Sequence, residues 1–287
     1  MIYDCVIIGS GVAGLTAGLY LGRANKSVMI IEDSVLGGTT ATLDRIDNYP
    51  GMPSISGMEL VQKLVSQVTS LGINIDFMHV NSIDFDNNLV VCDKNTIKYK
   101  SLIIASGTSY KKLNIPKENE FKFKGLSYCA ICDGPLYKNK KILVVTDGFS
   151  AQSSIEYLSN ISEDILVIDK SDRYNLPNKK VYHNSIVTQI IGEDRVEGVI
   201  VESSDKRHTI MCDVIFVALG KSSNIDLYSN KIHVRDGYIE SDENMHTNIE
   251  GVFVAGDIRY KSLRQIITAC ADGAIAGTEA IKFIQSI

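Results

Sequence analysis

Residues 2–32, IYDCVIIGSGVAGLTAGLYLGRANKSVMIIE, decide the fold. An apolar, β-branched run over 2–8 predicts a buried strand, and a helical pattern follows a glycine-rich turn from Leu15 to Ala24. A second apolar run, 28–31, predicts another strand, which ends in Glu32. Strand, glycine turn, helix, strand and acid within about thirty residues are the pattern of a dinucleotide-binding unit.

Each residue type in the glycine turn has a physical reason. Gly9 permits a tight turn, Gly11 lets the backbone approach a pyrophosphate, and Gly14 lets the helix pack on the strand. The helix N-terminus then presents free N–H groups and a positive dipole end to the phosphates. Glu32 can accept hydrogen bonds from the hydroxyl groups of a ribose.

Composition excludes several classes of protein. The chain has 287 residues, of which 45% are hydrophobic and 22% charged, so it is not a disordered protein. Its formal net charge of −5 and its lack of tryptophan argue against nucleic-acid binding. Residues 5–22 carry no charge, but five glycines interrupt them and Asp4 precedes them, so we expect neither a signal peptide nor a membrane span. We expect a cytoplasmic protein.

Two of the six cysteines form a close pair. Cys129 and Cys132 make a CxxC motif without a second CxxC or a nearby histidine pair, which is a poor zinc site because structural zinc takes four ligands. A redox-active dithiol is the better interpretation, and we predict no metal. The other four cysteines are interpreted as buried free thiols: Cys5, Cys92, Cys212 and Cys270.

The rest of the chain indicates two α/β units. Three short apolar strands end in glycine, over 102–107, 214–220 and 251–256, and the last leads into a C-terminal helix from about Leu263 to Ile284. The final fifth of the chain therefore completes the first unit.

Three motifs carry a family resemblance. They are the glycine turn with Glu32, the hexapeptide Cys129-Ala-Ile-Cys132-Asp133-Gly134, and Gly256-Asp257 followed by Arg264-Gln265-Ile266. Together they resemble the low-molecular-weight thioredoxin reductases, along nearly the whole chain. The resemblance implies an α/β fold of two Rossmann-like, three-layer domains, the second inserted into the first. It implies an FAD domain of residues 1–114 and 239–287, an inserted domain of 115–238 that carries the dithiol, and a homodimer.

The resemblance also assigns contacts with FAD. It places three glycines under the pyrophosphate, an acid at the adenosine ribose, and the remaining residues along the ribityl chain and flavin: Gly9, Gly11, Gly14, Glu32, Asn48, Gly256, Asp257, Arg264, Gln265 and Ile266. Arg264 is expected to orient the flavin ring or a partner, with surface solvation as the alternative. Thr39 stands where the family commonly has a glutamine that contacts the flavin.

The catalytic residues implied by the resemblance are Cys129, Cys132 and Asp133. Cys132 would face the flavin, and Cys129 would be the thiolate that attacks the disulfide of thioredoxin. Asp133 would donate a proton to the departing sulfur of Cys132 and retrieve it later. Capping the following turn is the alternative role for Asp133.

The second half departs from the family. Where the family has a second glycine fingerprint for NADPH, this chain has Thr146-Asp-Gly-Phe-Ser-Ala151, and threonine lacks the conformational freedom of the first glycine. Where the family has arginines for the 2′-phosphate, this chain has Asp169-Lys170-Ser171 and Asn175.

Two explanations compete for this departure. Asp169 follows an apolar run over 165–168 and could accept the ribose of NADH, as in an NADH-dependent enzyme. Two independent defects favour loss of the second nucleotide site, and the sequence then resembles the ferredoxin-dependent flavin thioredoxin reductases. Residues 110–141 support this weakly, because eight lysines and three acids give them a charge of +5, suited to an acidic ferredoxin. An ordinary solvated face is the alternative.

Three kinds of function therefore stay open: a thioredoxin reductase, a dithiol oxidase and a sensing module. The leading one is an FAD-dependent reductase of thioredoxin that takes electrons from ferredoxin, with an NAD(P)H-dependent thioredoxin reductase as the alternative. A flavin dithiol oxidase that passes electrons to oxygen also resembles the family. A flavin-bearing sensing module without turnover is the third, and the intact CxxC-Asp motif argues against it.

Overall fold

The structure, a computed structural model, describes residues 2–33, 35–148, 151–172, 179–203, 206–223, 225–228 and 231–287. Phe149, Ser150 and Asn175, which the sequence singles out, lie outside these ranges. The helices are α1 (Val12–Arg23), α2 (Gly38–Ala41), α3 (Gly57–Thr69), α4 (Ala130–Asp133), α5 (Gln152–Ser159) and α6 (Ile266–Ser286), and a 3-10 turn spans Gly134–Tyr137.

The strands carry the two halves of the fold. In chain order they are β1 (Ile2–Ile8), β2 (Val28–Glu32), β3 (Asn74–Phe77), β4 (Val80–Asp84), β5 (Leu89–Cys92), β6 (Thr96–Ile104), β7 (Ser109–Tyr110), β8 (Leu126–Ser127), β9 (Ile142–Thr146), β10 (Ile165–Asp169), β11 (Lys180–Tyr182), β12 (Ser185–Ile191), β13 (Gly198–Ser203), β14 (Lys206–Met211), β15 (Val214–Ala218), β16 (Lys221–Ser222), β17 (Val234–Arg235), β18 (Tyr238–Ile239) and β19 (Val252–Val254).

The chain forms two compact units. The first consists of Met1–Ser109 and Ser222–Ile287, and the second of Tyr110–Lys221. The sequence predicts boundaries after residues 114 and 238, so the structure differs mainly at the second one. It keeps 222–238 with the first unit because Tyr228 and Ile232 are buried in the core of that unit.

A mostly parallel sheet organises the first unit. Its order is β3-β2-β1-β6-β5-β4, with β19 also paired to β6, and only the pairings of β4 with β5 and of β5 with β6 are antiparallel. Successive side chains of β1 point to opposite faces, so Cys5 and Ile7 pack with residues of α1 and α6. Val6 and Ile8 pack against β4, β5 and Tyr228 on the other face. The result is the predicted three-layer arrangement.

The first helix begins earlier than predicted. It starts at Val12 instead of Leu15, because the Leu15 N–H already donates to the Gly11 carbonyl. Gly14 therefore lies inside the first helical turn. Because glycine has a low helix propensity, the sequence predicts a helix start that is too late. Helix α6 packs on α1 so closely that a Cβ at Gly273 would lie 2.2 Å from the Ala13 carbonyl oxygen.

The second unit has its own parallel sheet, in the order β11-β10-β9-β15-β8. Ile142 and Val144 of β9 pack against α5, whereas Leu143 and Val145 pack against the antiparallel sheet β12-β13-β14. The predicted fold class is confirmed.

Among the described residues, none of the helices combines the length and the hydropathy that a membrane span requires.

Candidate active site

The glycine turn after β1 leaves no room for larger residues at two positions. Gly9 has a φ of +104°, and a Cβ there would lie 2.4 Å from the Ala105 carbonyl oxygen. A Cβ at Gly14 would lie 1.9 Å from the Gly9 carbonyl oxygen. Both obstacles are backbone atoms, which cannot rotate aside as a side chain can, so the turn depends on glycine at both positions.

Gly11 differs from its neighbours because it faces open space. An added Cβ would meet nothing within 4 Å, and the residue is the N-cap of α1 in an extended conformation. Among the described residues, no side chain caps this helix end. The first backbone N–H groups of a helix have no partner within the helix, so this open helix terminus is suited to an anion such as a pyrophosphate.

Glu32 is tied to the glycine turn. Its carboxylate is buried, with the residue 7% exposed, and Oε2 accepts hydrogen bonds from Ser10 N at 2.9 Å and Ser10 Oγ at 2.6 Å. Ser10 Oγ in turn accepts from Gly37 N at 3.2 Å. The structure therefore places Glu32 beside the turn, and its contact with a ribose remains a prediction. The structure adds Ser10, which lies at a variable position of the glycine motif and gave no signal of its own.

The segment after β19 is held by groups from α6 and from the loop before it. Gly256 N donates to Asp272 Oδ2 at 3.1 Å. Arg264 Nε donates to the Asp257 carbonyl at 3.1 Å, and the guanidinium lies 3.7 Å from the centre of the Tyr238 ring. Arg264 thus binds backbone within this unit, and its role toward the flavin or a partner remains a prediction.

Asn48 and Gln265 meet although they lie far apart in the sequence. Asn48 Nδ2 donates to Gln265 Oε1 at 3.1 Å, directly before Ile266 begins α6. Thr39, which stands at the family's glutamine position, donates through Oγ1 to the Thr108 carbonyl at 3.4 Å. The structure therefore joins predicted cofactor residues from both ends of the chain.

A buried charge cluster beneath this segment was missed by sequence reasoning. Lys261 Nζ lies 2.7 Å from Asp272 Oδ2, and an Arg259 guanidinium nitrogen lies 3.6 Å from Asp272 Oδ1. The side chains of Lys261 and Asp272 are 8% and 9% exposed. Asp272 therefore links two cations to the Gly256 backbone. Only its helical spacing toward the buried face of α6 could have indicated this role.

Cys129 and Cys132 form a disulfide in the second unit, with 5.3 Å between their Cα atoms. Cys129 is the N-cap of the short helix α4, and its sulfur accepts a hydrogen bond from Cys132 N at 3.2 Å. Both residues are half-buried. The dithiol pair is thus geometrically formed, at a helix start whose partial positive charge stabilises a thiolate.

Asp133 follows the dithiol directly and is half-buried. Burial raises the pKa of its carboxyl above the ordinary value, and a hydrogen bond from Ser127 opposes that rise. Ser127 Oγ donates to Asp133 Oδ2 at 2.6 Å, so the carboxyl is oriented as well as desolvated. A carboxyl with a raised pKa can hold and release a proton nearer to neutral pH than an ordinary aspartate.

The remaining cysteines are free. Cys5, Cys92 and Cys212 are buried, and Cys270 is half-buried with its sulfur 4.0 Å from the Tyr49 hydroxyl. Burial raises the pKa of the Cys212 thiol to about 12 and also raises the pKa of Cys5. These thiols stay protonated at neutral pH, which leaves the redox chemistry to the pair.

The turn after β9 is closed by its own side chains. Thr146 is fully buried, its Oγ1 donates to the Gly148 carbonyl at 2.8 Å, and it accepts from Gly148 N at 3.1 Å. Asp169, also fully buried, accepts through Oδ1 from Ser171 N and Ser171 Oγ, both at 2.9 Å. Its Oδ2 lies 3.4 Å from His183 Nδ1. Oδ1 is thus engaged by its own turn, whereas Oδ2 is buried near the histidine without a hydrogen bond from the described residues.

Known proteins can be matched to this architecture over almost the whole chain. The model of the family described as pyridine nucleotide-disulphide oxidoreductase matches residues 3–273. The thioredoxin reductase of Listeria monocytogenes is 35% identical, over 100% of this chain and 95% of its own. The solved thioredoxin reductase of Streptococcus pyogenes has a TM-score of 0.93 at 33% identity, covering 100% of this chain and 99% of that one. The chain belongs to the thioredoxin reductase family.

A further solved thioredoxin reductase bears on the electron donor. The ferredoxin-flavin thioredoxin reductase from Clostridium acetobutylicum is 28% identical to this chain, with a TM-score of 0.57, covering 100% of this chain and 99% of that one. Members named for ferredoxin and members named simply thioredoxin reductase are therefore both similar to this chain.

Thioredoxin reductases are FAD flavoproteins, so the predicted cofactor and the predicted enzyme class, a flavoprotein thioredoxin-disulfide reductase, are confirmed. The first unit also fits the cofactor on structural grounds. Gly11 leaves open space at an uncapped helix start, and Glu32 presents a buried carboxylate beside it. Those two features suit a pyrophosphate and a ribose.

Proposed function

We propose that this thioredoxin reductase takes its electrons from reduced ferredoxin and delivers them through Cys129 and Cys132 to the disulfide of thioredoxin. The observation that carries the donor assignment is the closed turn after β9, where the Thr146 hydroxyl binds both backbone groups of Gly148. A pyridine nucleotide needs free backbone N–H groups in this turn, and here a side chain already occupies one of them.

The position that would read the ribose supports the same proposal. Asp169 is fully buried and its Oδ1 is bonded to Ser171, while its Oδ2, which accepts no hydrogen bond from the described residues, is shielded from a ribose hydroxyl by burial. The neighbouring Lys170 and Ser171 stand where arginine forks would bind a 2′-phosphate. NADPH at this position would therefore have neither arginine contacts for its 2′-phosphate nor an available carboxylate for its ribose.

The surface around the dithiol suits protein partners. Ile131 and Leu136 are large apolar side chains near the disulfide, 44% and 60% exposed. Six of the eight lysines between residues 110 and 141 are exposed: Lys111, Lys112, Lys117, Lys124, Lys138 and Lys140. Exposed apolar side chains in a segment that also carries positive charge favour an acidic protein partner such as a ferredoxin.

The chemistry assigned to the chain runs through one disulfide. When bound, FAD can collect single electrons from an iron–sulfur donor and supply them as a pair. With two electrons and two protons, the Cys129–Cys132 bond becomes two thiols. The Cys129 thiol loses its proton to solvent, and its thiolate attacks the disulfide of thioredoxin, forming a mixed disulfide and releasing one thioredoxin thiolate, which takes a proton from solvent. Cys132 gives its proton to Asp133 and attacks Cys129, which restores the internal disulfide and releases reduced thioredoxin.

An anaerobic titration tests the donor. Purified holoenzyme is mixed in turn with NADPH, NADH and chemically reduced ferredoxin, and the flavin absorbance is followed. We expect bleaching only with ferredoxin, followed by reduction of added thioredoxin. Rapid bleaching by NADPH or NADH would replace ferredoxin by a nicotinamide donor, and peroxide release with a small dithiol in air would favour a dithiol oxidase.

An NAD(P)H-dependent enzyme is the second candidate. It is favoured by the order of strand β9 and helix α5, which is the order found in dinucleotide-binding units. The titration separates the two candidates directly. A homodimer remains a prediction, which sedimentation velocity of the holoenzyme would test. A cytoplasmic location also remains a prediction, and the three buried free thiols fit it because disulfides are rare in that compartment.

A further inference from the structure

Ser127 lies between the dithiol and the acid, although no motif identifies it. It ends strand β8 and is 5% exposed. Its Oγ lies 2.6 Å from Asp133 Oδ2 and 3.1 Å from Cys129 N, and 3.4 Å from the Cys129 carbonyl oxygen. One buried hydroxyl therefore contacts both the proton-carrying residue and the backbone of the attacking cysteine.

The direction of these hydrogen bonds follows from the atoms. A serine hydroxyl has one hydrogen and two lone pairs, and the Cys129 N–H can only donate. The short distance to Asp133 matches a hydroxyl that donates to a carboxylate, which is stronger than a bond to a neutral group. The hydrogen therefore goes to Asp133, and the carbonyl at 3.4 Å is a minor partner.

We propose that Ser127 is a positioning residue that holds Asp133 in its ionised form, ready to take the proton of Cys132, and at the same time fixes the N–H of Cys129 at the helix start. This rests on the proposed function, because it needs Asp133 to carry that proton. The hydroxyl itself transfers no proton and touches neither sulfur in the described geometry.

The effect on the reaction has a definite sign. Cys132 attacks the mixed disulfide only after its proton has passed to the Asp133 carboxylate, and that proton later leaves to solvent. Burial favours the protonated carboxyl, whereas the Ser127 bond favours the carboxylate. Removing the hydroxyl therefore raises the pKa of Asp133, and a higher pH is needed to ionise it.

Few other groups can account for such a shift. The titratable residues near Asp133 are the two cysteines themselves, Tyr137 on the 3-10 turn and Tyr157 on α5, whose ring borders Gly134. Burial raises the pKa of Tyr137, and the charge of Asp133 adds to that rise, so Tyr137 is neutral in the range where a carboxyl titrates. Among the described residues, Ser127 is the one group that lowers the pKa of Asp133.

The test compares Ser127→Ala, Ser127→Thr and the wild type. The pKa of Asp133 is measured in the oxidised holoenzyme by NMR with ¹³C-labelled aspartate, using Asp133→Asn to assign the signal. The pH profile of thioredoxin reduction is measured alongside. For Ser127→Ala we expect both the carboxyl pKa and the acid limb of the profile to move up by about one pH unit. Ser127→Thr, which keeps the hydroxyl, should restore both.

Ser162→Ala is the matched control. Ser162 is also buried in the second unit, its Oγ donates to the Lys140 carbonyl at 2.6 Å, and it accepts from Asp164 N at 3.3 Å. Among the described residues, its hydroxyl makes no hydrogen bond to the dithiol or to Asp133. Its loss should therefore cost similar stability without moving the pKa of Asp133 or the acid limb of the pH profile.

Each outcome is decisive. An unchanged carboxyl pKa in Ser127→Ala, or a shift equal to that of Ser162→Ala, would overturn the inference. A shifted carboxyl pKa with an unmoved pH profile would also overturn it, because the ionisation of Asp133 would then not limit thioredoxin reduction. If the wild type fails to reduce thioredoxin, the proposed function fails, whereas the NMR titration still decides whether Ser127 controls Asp133. If Ser127→Ala does not fold, a wild-type pKa and profile in Ser127→Thr support the inference, and shifted values overturn it.

Discussion

The turn after β1 and the turn after β9 occupy the same place in their two units, between a parallel strand and the helix that follows it. In the first, the open residue is Gly11, and an added Cβ would meet nothing within 4 Å. In the second, the Thr146 hydroxyl binds the carbonyl and N–H of Gly148 within its own turn. In the first turn the helix start at Gly11 has no side-chain cap among the described residues, whereas in the second turn a side chain binds the Gly148 N–H.

The acids at the ends of the neighbouring strands differ in the same way. Glu32 reaches across to Ser10, within the first turn, and so belongs to the rim of a nucleotide site. Asp169 bonds to Ser171, two residues along its own chain, and lies near His183. Under the proposed function, the comparison teaches that a dinucleotide fold can persist as a scaffold when its polar groups bind one another, because the packed sheet does not depend on them.

The largest expected effect is in the first turn. Gly14→Ala places a Cβ against the Gly9 carbonyl oxygen, so we expect loss of bound FAD and destabilisation by about 3 kcal/mol or more. Flavin absorbance per protein and thermal unfolding measure this. Gly11→Ala is the control: it should leave the stability of the apoprotein unchanged and weaken FAD binding at least roughly tenfold. Full FAD content in Gly14→Ala would refute the steric argument.

The two acids give a smaller contrast. Glu32→Gln keeps the shape but removes the charge that accepts from Ser10 and would accept from a ribose, so we expect FAD binding to weaken about tenfold. Asp169→Asn should leave the affinity for FAD and the rate with reduced ferredoxin unchanged. Fluorescence titration of each variant's apoprotein with FAD measures the FAD affinity of Glu32→Gln and of Asp169→Asn. A loss of NADH oxidation in Asp169→Asn would show that the second site is in use.

The smallest effect is expected at the second turn. Thr146→Val removes the hydroxyl that binds Gly148 and should lower the free energy of unfolding by about 1–2 kcal/mol, with the FAD content unchanged. Denaturant unfolding of the holoenzyme measures the change. A variant that loses flavin instead would mean that the two turns are not independent.

The buried charge cluster shows where prediction from sequence stops. The sequence identifies Gly256 and Asp257 from a motif, but it gives no reason to connect them with Asp272 or Lys261. The connection exists because α6 turns Asp272 inward, to the Gly256 N–H and to Lys261 Nζ. Asn48 and Gln265 are a similar case, since both were predicted individually but their contact joins opposite ends of the chain.

The sequence by itself determined the features that depend on local chemistry. Alternating apolar residues specify strands, glycine alone fits where a Cβ would strike backbone, and the CxxC-Asp run places the dithiol beside an acid. Only the tertiary structure decided which polar group each of these residues binds: Ser10 with Glu32, Ser127 with Asp133, Thr146 with Gly148. A hydrogen bond requires a donor and an acceptor within about 3 Å in the right direction, and that geometry exists only once the strands and helices have packed.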